Sequence, residues 1–149
     1  MEKEFSRVRS AKDIVLTSSI ITAGCILIAL PTSSSVNILG FFMICAGIIL
    51  AFVLKTGYKD IENGDIYLKK EKFFAQSLKT DISKAIEKEL PKIDLSEEDK
   101  GNGIRLDIYY SKKNGKAYTQ LFEYVPYRYE PCTRVHEHDL NQVANILGK

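Results

Sequence analysis

Between Ile14 and Leu54 the chain carries no Asp, Glu, Lys, Arg or His, while every one of its eight tyrosines lies from Tyr58 onward. No other feature limits the possible folds so strongly. The stretch divides into two apolar runs, Ile14–Leu30 and Val36–Leu54, joined by the short Pro31–Ser35 segment "PTSSS". As helices the runs would extend roughly 25 and 28 Å, close to the ~30 Å hydrocarbon thickness of a bilayer. Pro31 cannot continue the first helix, because it lacks the backbone N–H that the next turn needs. The residues after Leu54 are too few and too polar to wrap two such helices, so the expectation is a transmembrane hairpin.

The first run follows a basic segment, "KEFSRVRSAK", as an export signal would, and "TAGC" at Thr22–Cys25 resembles the end of a lipoprotein signal. Thr22 stands where such signals carry Leu, and Cys25 is followed by "ILIAL" instead of a polar tether, so a retained helix is expected. Neither run has an ionisable side chain with which to build an ion pathway. Ser18, Thr22, Cys25 and Ala29 are expected to form the packing face of the first helix, and Gly40, Gly47 and Ala51 that of the second, since small residues let helices approach closely in lipid. The remaining faces would allow a homo-oligomer through the transmembrane helices.

Topology follows from charge. Lys3, Arg7, Arg9 and Lys12 precede the first run, Lys55, Lys59, Lys69, Lys70 and Lys72 follow the second, and the connecting turn is uncharged. Basic residues near membrane ends stay on the cytoplasmic side. The expected arrangement is a multi-pass protein of the cell (plasma) membrane with a cytoplasmic tail at 1–13, a hairpin at 14–54 (14–30, turn 31–35, 36–54), and a cytoplasmic domain at 55–149. Cys25, Cys45 and a lone Cys132 offer no disulfide framework to that domain, which suits a reducing compartment.

The polar part reads as a small α+β domain of order β-β-α-β-β-α, a largely antiparallel four-stranded sheet with two helices. Asn63-Gly64 and Asn114-Gly115 are hairpin signals, because a tight type I′ turn needs positive φ at both central residues. With a two-residue turn, Ile108 would face Leu121 and Ile104 would face Val125. An aliphatic face of Ile104, Leu106, Ile108 and Tyr110 would then oppose an aromatic one of Tyr109, Tyr118, Phe122 and Tyr124. Helical spacing in "EKFFAQSLKTDISKAIEKEL" (71–90) and "DLNQVANILGK" (139–149) supplies the helices, with "KIDLSEEDKGNG" a polar loop between.

After Leu54 there are 17 Lys and Arg against 16 Asp and Glu, with interleaved signs, so no basic face for nucleic acid is expected. Cys132, His136 and His138 share nine residues, "PCTRVHEHD", and have the right chemistry for zinc or for an activated thiol. No paired Cys-x-x-Cys or second histidine set supports them, and Asp139-x-x-Gln142 is a helix capping box, so the expectation is no metal, no cofactor and no catalytic residue. The Tyr118–Arg134 stretch concentrates Tyr and Arg, the residue types that interfaces favour. The expected function is that of a non-enzymatic, membrane-anchored protein whose cytoplasmic domain binds a protein partner or the membrane surface, as an accessory subunit or an immunity or protective factor. The alternative is a small metal-dependent or thiol enzyme using Cys132, His136 and His138.

Overall fold

A computed structural model describes residues 3–88, 90–98 and 103–148. The chain divides into two compact units, Arg7–Tyr58 and a second formed by Met1–Ser6 with Lys59–Lys149.

The first unit is a helical hairpin of α1 (Ala11–Ala29) and α2 (Ser34–Val53), both long and apolar enough to cross a membrane. Helix α1 starts with a complete capping box, Ser10 at the N-cap and Asp13 three residues on. The helices meet backbone to backbone at Gly24 and Gly40: a Cβ on either would stand 2.7 Å from the other's carbonyl oxygen. Gly47 sits as closely on Ile21, with 2.5 Å from its would-be Cβ to Ile21 Cγ1. The buried positions of α1 are therefore Asp13, Thr17 and Gly24. Ser18, Thr22, Cys25 and Ala29, expected to pack, are exposed instead. Gly24 allows a closer approach than any hydroxyl or thiol residue, and it rotates the contact face toward itself. On α2 Gly40 and Gly47 are buried as expected. Outward-facing side chains are large and apolar, among them Phe41, Phe42, Ile49 and Phe52.

Asp13 fastens the open end of this hairpin. Its carboxylate accepts from Ser10 N at 2.9 Å, from Thr56 N at 2.8 Å and from Thr56 Oγ1 at 2.7 Å, and the Ser10 and Thr56 hydroxyls are 2.8 Å apart. The last residues before α1 and the first after α2 are thus joined through one buried acid.

The sheet has seven strands: β1 (Phe5–Val8), β2 (Gly57–Asp60), β3 (Ile66–Phe74), β4 (Ile104–Ser111), β5 (Lys116–Val125), β6 (Arg128–Pro131) and β7 (His136–Asp139). The order is β1-β2-β3-β4-β5-β6, with β7 also on β5. Residues 5–8, expected within a tail, form a strand, and β6 and β7 occupy successive halves of the β5 edge, so the sheet exceeds the four strands expected. Helices α3 (Lys79–Lys88) and α4 (Leu140–Leu147) follow β3 and β7. Residues 71–74, assigned to a helix by spacing, complete β3, because Lys69, Glu71 and Phe73 alternate with Lys70, Lys72 and Phe74 across a pleat. Part of the expected polar loop, 99–102, lies outside the described residues.

The Asn114-Gly115 turn is two residues longer than the tightest hairpin. Ser111 pairs with Lys116, leaving Lys112–Gly115 as the loop, so Leu106 faces Leu121 and Ile108 faces Thr119. A slip of two leaves every side chain on its own face, whereas a slip of one would have turned the aliphatic row outward. Ile104, Leu106, Ile108, Ala117 and Leu121 accordingly make one core with Phe74, Ile82, Ile86, Val143 and Ile146. Asp139 is the N-cap of α4 in a capping box with Gln142, whose Oε1 accepts from the Asp139 N–H at 3.1 Å.

Candidate functional site

Cys132 and His138 each have a hydrogen-bond partner outside the Cys132, His136 and His138 trio. His136 and His138 lie on an edge strand, not in a loop leading to the helix, and their ring centroids are 6.5 Å apart. His138 is held by Thr119, whose Oγ1 is 2.9 Å from Nε2. Burial, and then the charge of His136, push the His138 pKa below its ordinary value. The Cys132 thiol donates to the Leu121 carbonyl at 3.4 Å and packs against the core. Burial pushes this thiol up, opposite to what a nucleophilic cysteine needs. Among the described residues no three His, Cys, Asp or Glu side chains are grouped to hold a metal ion.

The face of the sheet opposite α3 and α4 is built differently. Along β3 and β4 the side chains on that face are Tyr67, Lys69, Glu71, Phe73 and Arg105, Asp107, Tyr109, a register that interleaves charges with rings. Asp107 is 1% exposed. Its carboxylate lies 2.7 Å from Lys69 Nζ and 2.8 Å from Arg105 Nε, and accepts from Arg105 Nη2 at 3.2 Å. Burial pushes the Asp107 carboxyl above the usual range, and the two cations offset part of that. Burial opposes the Lys69 charge too, but its hydrogen bonds with Asp107 and Glu71 hold the amine above its ordinary pKa. The Arg105 guanidinium lies over the rings of both Phe122 and Tyr129, 4.7 and 4.6 Å from their centroids.

Toward the other end of this face the N-terminal segment closes the surface. Phe5 stacks on Tyr109 at 4.2 Å, and Tyr67 meets Tyr118 edge-on at 5.4 Å. Lys3 Nζ donates to the Tyr118 hydroxyl at 2.8 Å and sits 3.1 Å from the fully buried Asp60. Tyr118, expected on a binding surface, is therefore an interior residue. Its burial follows from Lys3 and Phe5, in a segment expected to be a tail and not part of the sheet.

What remains open is the β5–β6 hairpin. Tyr124 and Tyr129 pack ring to ring at 5.3 Å, and Tyr129 meets Phe73 at 6.2 Å. Val125 pairs with Arg128, so Pro126 and Tyr127 alone make the turn. Tyr127 has φ 73° and its side chain is 99% exposed. The order of proline and then positive φ is that of a type II turn, in which glycine normally takes the second place. An L-residue there costs on the order of 1–3 kcal/mol. Tyr127 is the single non-glycine with positive φ among the described residues. Arg128 beside it is exposed and ion-paired with Glu130.

Among protein-family models, curated proteins and solved structures, none matches this chain. The site is thus read from its own residues. The Tyr118–Arg134 stretch separates into an interior tyrosine, a braced aromatic platform (Phe122, Tyr124, Tyr129) and an exposed tip (Pro126, Tyr127, Arg128). Lys3, Asp60, Lys69, Arg105 and Asp107 were missed as a group. Alternation of charge and ring in "IYLKKEKFF" and "IRLDIYY" was the available signal, but its meaning depends on which strands pair.

Proposed function

We propose that this chain is a non-enzymatic protein anchored in the cell membrane by α1 and α2, whose domain of residues 59–149 binds another protein through the β5–β6 hairpin. The observation that carries the anchor is the outer surface of the helical hairpin. Phe42, Ile49, Phe52 and Val53 are 62–74% exposed, an apolar surface that water penalises and lipid accepts. Both helices suit the bilayer thickness, at 19 and 20 residues. The basic residues flanking the hairpin and the absence of charge in its turn support cytoplasmic termini.

Partner binding is supported by the tip, where a fully exposed ring occupies a position that backbone energetics reserves for glycine. Against chemistry stand the raised Cys132 pKa and the engagement of His138 with Thr119. Two measurements test the reading. In intact cells, with Cys25 and Cys45 replaced, a membrane-impermeant thiol reagent should label a Ser34→Cys variant and leave Cys132 unlabelled. A photoreactive phenylalanine analogue in place of Tyr127 should cross-link to protein. Release of the chain from membranes by alkaline carbonate would refute the anchor.

A further inference from the structure

We infer that the partner of the β5–β6 tip is a second copy of this chain, each copy's Tyr127 seated in the α3 cavity of the other. This names the partner for the hairpin surface proposed above and rests on that reading. The cavity has a volume of about 220 Å³, with Leu78, Ile82 and Ile93 as its floor and Asp81, Lys92 and Asp94 at its mouth. It falls below the roughly 300–1,000 Å³ of sites for drug-sized ligands, yet its apolar floor suits one aromatic ring.

Three observations converge on self-pairing. Tyr127 makes no use of its ring within its own chain, where it is 99% exposed, and it holds a backbone conformation that glycine would adopt without strain. The charges also correspond: the exposed Arg128 flanks the tip and Asp81 lines the cavity, so cation can meet carboxylate there. Finally, Glu123 near the end of β5 pairs with Lys79 and accepts from Gln76, which sets the start of α3 beside the strand leading into the tip. Knob and cavity therefore occupy the same end of the domain. Reciprocal insertion then closes a two-fold dimer, where knob and cavity at opposite ends would have produced an open filament. Exposed tyrosine and arginine anchors at the centre of a small contact are the residue types that carry most binding energy.

The experiment is sedimentation equilibrium of the full chain in detergent micelles, with thermal melting of the same samples. The native chain should dimerise with rising concentration. Tyr127→Gly should raise the dissociation constant at least about tenfold while melting at the same temperature or higher, because it removes the ring and relieves the turn together. Arg128→Asp should weaken the dimer, and Asp81→Arg in that background should restore it. The photoreactive analogue at 127 should attach to the peptide holding Ile82 or Ile93 of another copy. A chain monomeric throughout, or a dimer indifferent to Tyr127→Gly, overturns the self-pairing. Cross-linking to a different protein overturns it while leaving the hairpin-binding reading intact, and cross-linking to lipid alone overturns both.

Discussion

Removing the carboxylate of Asp107 should be the most damaging single change outside the aliphatic core. The side chain is 1% exposed, and it is ion-paired with both Lys69 and Arg105, whose side chains are 12% and 19% exposed. Asp107→Ala takes the carboxylate from the largely buried Arg105 and leaves Lys69 with Glu71, and breaking a buried pair in this way costs about 3–5 kcal/mol. At 2–4 °C per kcal/mol the midpoint should fall by roughly 6–20 °C. The chain has no tryptophan and eight tyrosines, so near-ultraviolet circular dichroism of the full chain in micelles reports this face directly. Asp107→Asn keeps the shape and one acceptor and should cost less. Replacing Asp107 by Leu and Lys69 by Met together should recover more than 1 kcal/mol relative to the sum of the singles. The pH dependence has a definite sign. Burial raises the folded-state pKa of Asp107, so the stability linked to its proton is full below the ordinary carboxylate value of 3.8 and is lost as pH rises through the folded value. Asp107→Asn should abolish that loss. A cost below 1 kcal/mol for Asp107→Ala, or equal costs for Ala and Asn, would refute the account of a buried ionic node.

Four further outcomes are expected. Asp13→Ala should loosen the open end of the helical hairpin, seen as faster amide exchange at Thr56 and in the first turn of α1, and Asp13→Asn should have a smaller effect. Gly24→Val should separate α1 from α2, since its Cβ would lie 2.7 Å from a backbone oxygen; a cysteine pair spanning the helices should then cross-link less efficiently. Asp139→Ala should cost roughly 1 kcal/mol in denaturant titration, and Asp139→Ser much less. His138 has a folded pKa below 6.5, so the native state resists its charging: stability should fall as pH drops below about 6.5, and His138→Gln should flatten the slope between pH 7 and 5.

The helical hairpin was legible in the sequence because its signal is compositional: two long apolar runs without a charge, joined by a short turn that opens on a proline. Its packing face was not, since Ser18, Thr22 and Cys25 are as small and as regularly spaced as the contact requires. Only the opposed backbones at Gly24 and Gly40 decide between the two faces. In the sheet, the alternation of Ile104, Leu106 and Ile108 determined which side faces the core, and that survived a loop longer than expected because the register moved by an even number. Strands β1, β6 and β7 have four residues each, too short for periodicity to reveal, and they exist through the partners they pair with. The same dependence governs the candidate site. Tyr118 and Tyr127 belong to one aromatic stretch, yet the first is interior because Phe5 and Lys3 cover it, and the second is wholly exposed because it forms a two-residue turn. Local sequence sets residue type and spacing, but burial is a property of contacts between distant segments, and for Tyr118 those contacts come from the N-terminal segment.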